Sequence, residues 1–298
     1  MRTKPAAPGA IPLIAPLLAA AVLTLPACSA VSGGSTPDPS AAPPPSAGGS
    51  GSSPSDDRGS GDEGPASAQG PLGGMTVVVD PGHNGGNADA AEEIAETVDA
   101  GHGSKACDTV GAETDDGYTE HAFNWDVSER LRGVLEEDGA EVVFTRNDDE
   151  GVGPCITERA EIGNEAEADA AISIHADGGP ASGRGFHVIA PGDLEGYTDD
   201  IAERSQRLAL DVRAEFEEGT GQQRADYIAE DGLDHRTDLG GLNLSDVPKV
   251  FLEAGNMSNP EDAADLSDPQ WREKAAKAVA AGISRYLQEE QGGGDEEE

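Results

Sequence analysis

Basic side chains are scarce in this sequence. Its 298 residues carry 19 Lys and Arg against 58 Asp and Glu, a formal net charge of −39. A surface of that sign repels phosphate and excludes nucleic acid as a partner. The acids are spread through the whole region expected to fold instead of gathering in a tail, as expected of a strongly solvated surface. Cysteine is also rare, with three residues, and none has neighbours that would activate a catalytic thiol. No apolar run is long enough to cross a bilayer comfortably: the best, Ile11 to Leu25, is short and interrupted by proline. No internal repeat is visible.

What is present begins with a basic Met1 to Lys4 ahead of that apolar stretch. Residues 1–28 therefore read as a signal peptide, and the mature protein as exported. Leu25-Pro26-Ala27-Cys28 looks like a bacterial lipobox, which makes Cys28 a possible lipidation site and that lipid the one expected link to a membrane. Pro26 departs from the commoner residues there, and ordinary cleavage near Ala27 or Ala30 is the alternative. Residues 29–73 are almost entirely Ser, Gly, Pro, Ala and Asp, and such a segment buries too little apolar surface to offset its ordering entropy. They are expected to be a disordered linker, 74–290 a single folded domain and 291–298 an acidic disordered tail. With Cys28 lipidated or removed, Cys107 and Cys155 form an even pair, and an oxidising compartment favours a disulfide over two free thiols.

Between residues 74 and 290, β-branched runs alternate with helical periodicities. MTVVVD (75–80), EVVFT (141–145), AAISI (170–174), GFHVIA (185–190) and KVFL (249–252) read as strands. Phe123, Val127, Leu131, Val134 and Leu135 fall on one helical face, with Thr119 placed to cap its start and Gly139 just past its end. Residues 156–168, 199–217 and 271–288 read as further helices. The alternation predicts an α/β single domain, a twisted, mostly parallel sheet flanked by helices on both faces. Residues 84–118 form a long excursion rich in Gly, Asp and Ala, the kind of loop that carries function.

Four residues converge in this topology. His83 follows the first strand by a tight turn, His175 follows AAISI, and Glu253 follows KVFL. Glu120 opens the helix that leaves the same sheet edge. Open α/β sheets bind their ligands at the carboxyl edge of the strands. Two imidazoles and a carboxylate, with a fourth position for water, form a catalytic zinc site. A further carboxylate nearby can move protons between that water and a leaving amine. For each residue the plainer reading is a structural or solvated side chain. His102, His121, His187 and His235 are assigned to that reading.

The segments VVVDPGHNGGN (77–87), Glu120, FTRNDD (144–149), ERAEIGNEAEADAAISIHADG (158–178) and VPKVFLEAGNMSNPEDA (247–263) resemble, in order, the zinc-dependent N-acetylmuramoyl-L-alanine amidases of actinobacterial type. The resemblance covers residues 75–289. It implies one Zn2+ per chain held by His83, Glu120 and His175, with Glu253 as the catalytic carboxylate. It also implies peptidoglycan or muropeptides as substrate, cut between the lactyl group of N-acetylmuramic acid and L-alanine. Cys107 and Cys155 fall where some members carry a disulfide. Asp177 stands where many relatives have Asn, and no wall-binding repeat domain is visible. Arg236 and Asn243, in the loop before the last strand, are expected either to touch substrate or to brace the loop. Arg159 and Asn164 are expected to hold the helix before AAISI. The chain is expected to be a monomer. An exported zinc carboxypeptidase and a non-catalytic wall-binding lipoprotein remain as alternatives.

Overall fold

The run Val77–Val79 is fully buried, so the first strand sits inside its sheet and not at an edge. The computed structural model describes residues 70–293; Cys28, the signal peptide, the linker through residue 69 and the tail from 294 lie outside them. Along the chain the elements are β1 (Thr76–Pro81), a 3-10 turn (Asn87–Asp89), α1 (Ala91–Ile94), β2 (Thr97–Asp99), β3 (Ser104–Ala106), α2 (Glu120–Glu137), β4 (Glu141–Phe144), α3 (Ile156–Glu165) and β5 (Ala170–Asp177). There follow β6 (His187–Pro191), α4 (Ala202–Thr220), β7 (Leu233–Arg236), α5 (Gly240–Asn243), β8 (Lys249–Asn256), α6 (Pro260–Ser267) and α7 (Pro269–Gly293).

Six strands form one sheet in the order β4-β1-β5-β8-β6-β7, and β2 and β3 form a separate antiparallel hairpin. Strands β4, β1, β5 and β8 are mutually parallel, whereas β6 runs antiparallel to β8 and carries β7 parallel beside it. The sheet is thus mostly parallel, with one reversal that the strand pattern did not announce. The hairpin, β7, α5 and α6 were not anticipated either. All are short, and β2, β3 and β7 hold no fully buried residue to mark them by apolar alternation.

Strand periodicity sorts the two faces. Val77, Val79, Ile172, Ile174, Val250 and Leu252 join the main core, which α2, α4 and α7 cover. On α2 the expected stripe holds: Phe123, Val127, Leu131 and Leu135 are fully buried, each contributing roughly 1.5–3 kcal/mol. Val134, at the edge of the stripe, is only partly buried. Thr119 is the N-cap residue, but its side chain makes no capping hydrogen bond. Gly139 takes up a left-handed φ of 94° that ends the helix cheaply. On the opposite face, Val78, Ala171, Ala168 and Val247 make a smaller cluster beneath α3 and α5. This face also receives Ser173, His175, Lys249, Phe251 and Glu253.

Three expected boundaries move. Leu72 is buried and its N–H donates to Asp138 O at 2.9 Å, so the folded body begins before the expected linker end at residue 73. Strands β5 and β8 run past their apolar stretches, placing His175 and Glu253 inside strands instead of after them. Asn164 ties α3 to the loop before β8, donating to Leu244 O and accepting from Asp246 N. Among the described residues, no helix is long and apolar enough to cross a membrane.

Candidate metal centre

The turn after β1 sets the centre's geometry. Gly82 is pressed against His175 so closely that a Cβ there would lie 2.1 Å from the ring. His83 then adopts φ 58°, a conformation rare outside glycine, which turns its imidazole back over the sheet edge. Its Nδ1 lies 2.9 Å from Thr109 O and 3.3 Å from Asp108 Oδ1. A carbonyl can only accept, so Nδ1 carries a proton, and Nε2 is the nitrogen that would face a metal ion once it gives up its own. Glu120, 4 % exposed on the first turn of α2, presents Oε1 to His83 Nε2 at 3.2 Å and to His175 Nδ1 at 2.8 Å. Its Oε2 accepts from Ala112 N at 2.7 Å. Gly111 (φ 86°) allows this approach, since a Cβ there would crowd both Glu120 and His83 at 2.8 Å. One donor atom from each of His83, Glu120 and His175 lies within 4.8 Å of the others.

The charges fit a cation. Burial works to raise the Glu120 pKa, but the His83 and His175 imidazoles overcome it and hold the carboxyl well below its usual range. Burial likewise opposes charge on His83, yet Glu120 and Asp108 outweigh it and push its pKa up to about 10. A proton is thus held between the buried Glu120 carboxylate and His83, where a metal ion would take its place. Nitrogen and oxygen donors without thiolate suit a divalent ion such as zinc.

Glu253 pairs with His175 across β5 and β8. Its Oε2 is buried and has no hydrogen-bond partner. Burial first, then the negative charges of Glu120 and Asp177, push its pKa well above the carboxylate range. It is a carboxyl able to take up and release a proton beside the centre. His83, Glu120, His175 and Glu253 line one cleft of about 480 Å³ together with Asp177, Arg236 and Phe251. Phe251 stacks on His175, with ring centroids 5.2 Å apart.

Of the two expected substrate contacts, Arg236 lies on this cleft, held in a two-pronged bond to Asp238 at 2.8 Å on each arm. Asn243 does not. It is 2 % exposed and donates to Ala100 O and Thr237 O at 2.9 Å each, which makes it the brace of its loop. Arg159 does more than hold α3. It donates to Asp80 and to the carbonyls of Pro81 and His83, and lies 3.3 Å from Asp108. Cys107 and Cys155 are disulfide-bonded, their Cα atoms 4.5 Å apart. Sequence reasoning passed over Asp108 and Thr109, which orient His83, and Tyr227, whose hydroxyl donates to Asp177 at 2.9 Å. All three sit in loops without periodicity; proximity to Cys107 offered the one signal for Asp108 and Thr109, and Tyr227 had none.

An α/β sheet whose carboxyl edge gathers two imidazoles and a carboxylate, with a second, protonatable carboxyl beside them, has the layout of a metal-assisted hydrolase. The chain belongs to the N-acetylmuramoyl-L-alanine amidase family, which it matches over residues 77–285. It is 41% identical to the N-acetylmuramoyl-L-alanine amidase Rv3717 of Mycobacterium tuberculosis over 219 residues, covering 72% of this chain and 88% of that protein. Its fold matches the crystal structure of the amidase Ami1 from Mycobacterium smegmatis with a TM-score of 0.68 and 41% identity, covering 72% of this chain and 98% of that one. For Ami1 from Mycobacterium abscessus the TM-score is 0.67 and the identity 44%, over 72% and 99% of the two chains.

Proposed function

We propose that this protein hydrolyses the amide between the lactyl group of N-acetylmuramic acid and L-alanine in peptidoglycan, with one zinc ion held by His83, Glu120 and His175. The observation that carries this is the meeting of those three donors within 4.8 Å beside Glu253, whose buried Oε2 is unpartnered. When bound, zinc supplies a Lewis acid that brings the pKa of water toward neutrality.

The protein's own residues do the rest. Thr109 O and Asp108 fix the His83 tautomer. Glu253 takes a proton from the attacking water as the new C–O bond forms, and delivers it to the departing alanine nitrogen as the C–N bond breaks. Arg236 offers a guanidinium at the cleft for a substrate carboxylate or carbonyl. The family and the N-terminal sequence favour an exported protein, anchored by a lipid on Cys28 or released; Cys28 lies outside the described residues.

Mass spectrometry of digested peptidoglycan, with and without chelator, tests the reading. The expected products are free stem peptides with an intact N-terminal alanine, together with bare glycan, and chelation abolishes both. Shortened stems still attached to glycan indicate a carboxypeptidase, and no products at all indicate a binding protein. Glu253→Gln is expected to keep its zinc and lose roughly 10²–10⁴-fold in kcat. Near-normal turnover by that variant removes Glu253 from the chemistry.

A further inference from the structure

His187 was assigned a structural role from sequence, yet it stands next to the reacting groups. In the antiparallel β6–β8 pair it lies directly opposite Glu253. Residues opposite each other in such a pair share a face of the sheet, with Cβ atoms roughly 4.5–5.5 Å apart. The ring is 2 % exposed, and its Nδ1 has no hydrogen-bond partner. Glu253 Oε2 is likewise buried and unpartnered. Two orphaned polar atoms on directly opposed residues are costly, because each forfeits its hydration without a replacement bond. The two atoms do not bond each other directly, so one water bridging them would remove both costs.

We propose that His187 is a positioning residue for Glu253, its Nδ1 holding Oε2 through one bridging water so that Oε1 stays aimed at the cleft. This rests on the acid–base role proposed for Glu253. Burial pushes the His187 pKa down, with Asp177 and Asp234 only partly opposing it, so the ring is neutral. Through that water, a neutral imidazole can donate to the ionised carboxylate and, in its other tautomer, accept from the protonated acid. The same partner therefore serves both halves of the proton transfer.

The test uses the zinc-loaded enzyme on soluble muropeptide. His187→Phe fills the same space without a polar atom, whereas His187→Asn returns a polar group close to the position of Nδ1. The Phe variant is expected to lose about tenfold or more in kcat, with KM, zinc content and melting temperature unchanged, and the Asn variant to recover most of that loss. In a Glu253→Gln background, His187→Phe is expected to cost little more. Equal kcat for wild type and the Phe variant overturns the proposal, as does a loss that simply multiplies with that of Glu253→Gln. If the Phe variant does not fold, the ring ¹⁵N resonances of His187 decide: a Nδ1 shift that moves on Glu253→Gln supports the link, and one that does not overturns it. An inactive wild type instead overturns the amidase reading itself.

Discussion

Asp80 never reaches the cleft, yet it anchors the strand end from which His83 is hung. Thr145 and Ser173 donate to it at 2.6 Å, Arg159 lies at 2.8 Å and Lys249 at 3.3 Å, all buried. Burial alone would raise its pKa, but Lys249 and Arg159 overcome that and hold it well below the usual carboxylate range. A depressed folded-state pKa means that the carboxylate's contribution is complete above the unfolded value of about 4 and is lost as pH falls from there. Asp80→Asn leaves two buried cations short of a counter-charge. It is expected to cost about 3–5 kcal/mol near neutral pH, with the gap to wild type narrowing below about pH 4. Urea unfolding at a series of pH values measures this, and a pH-independent gap would show that packing rather than charge holds the site.

At the scale of elements, the disulfide joins the loop that orients His83 to the helix that carries Arg159. Cys107 immediately precedes Asp108 and Thr109, and Cys155 caps α3, its N–H donating to Glu158 at 2.8 Å. With its ends 48 positions apart in sequence, the bridge is expected to stabilise the fold by about 4 kcal/mol on chain-entropy grounds. Its removal also frees the segment that fixes the His83 tautomer, and loss of such outer partners typically weakens metal binding about 10–100-fold. The double variant Cys107→Ser, Cys155→Ser should therefore both melt earlier and bind zinc more weakly. Competitive zinc titration beside calorimetry separates the two effects. Unchanged zinc affinity in the folded variant would confine the bridge to global stability.

Across the whole molecule, a net charge of −39 gives a self-repelling surface. Many arginines are already committed, among them Arg130 to Asp126 and Glu273, Arg207 to Glu203 and Glu290, and Arg285 to Asp211. The excess of acids remains, and salt screens it over roughly 10 Å at about 0.1 M and 3 Å at about 1 M. The melting temperature is expected to rise by several degrees as sodium chloride goes from about 0.01 to 1 M. A flat or falling trend in differential scanning calorimetry would mean that the local ion pairs outweigh the net repulsion.

The sequence by itself determined the main strands and the buried stripe of α2, and it pointed to His83, Glu120, His175 and Glu253 as neighbours at one sheet edge. Each was written in local order: β-branched runs, helical spacing, and a polar residue at the end of an apolar stretch. Only the tertiary structure decided that β6 runs antiparallel and so sets His187 opposite Glu253, that Asn243 braces a loop while Arg236 faces the cleft, and that Asp108 and Thr109 hold His83. Those pairings depend on strand direction and on loops crossing from distant parts of the chain. Neither leaves a periodic trace in the order of the residues.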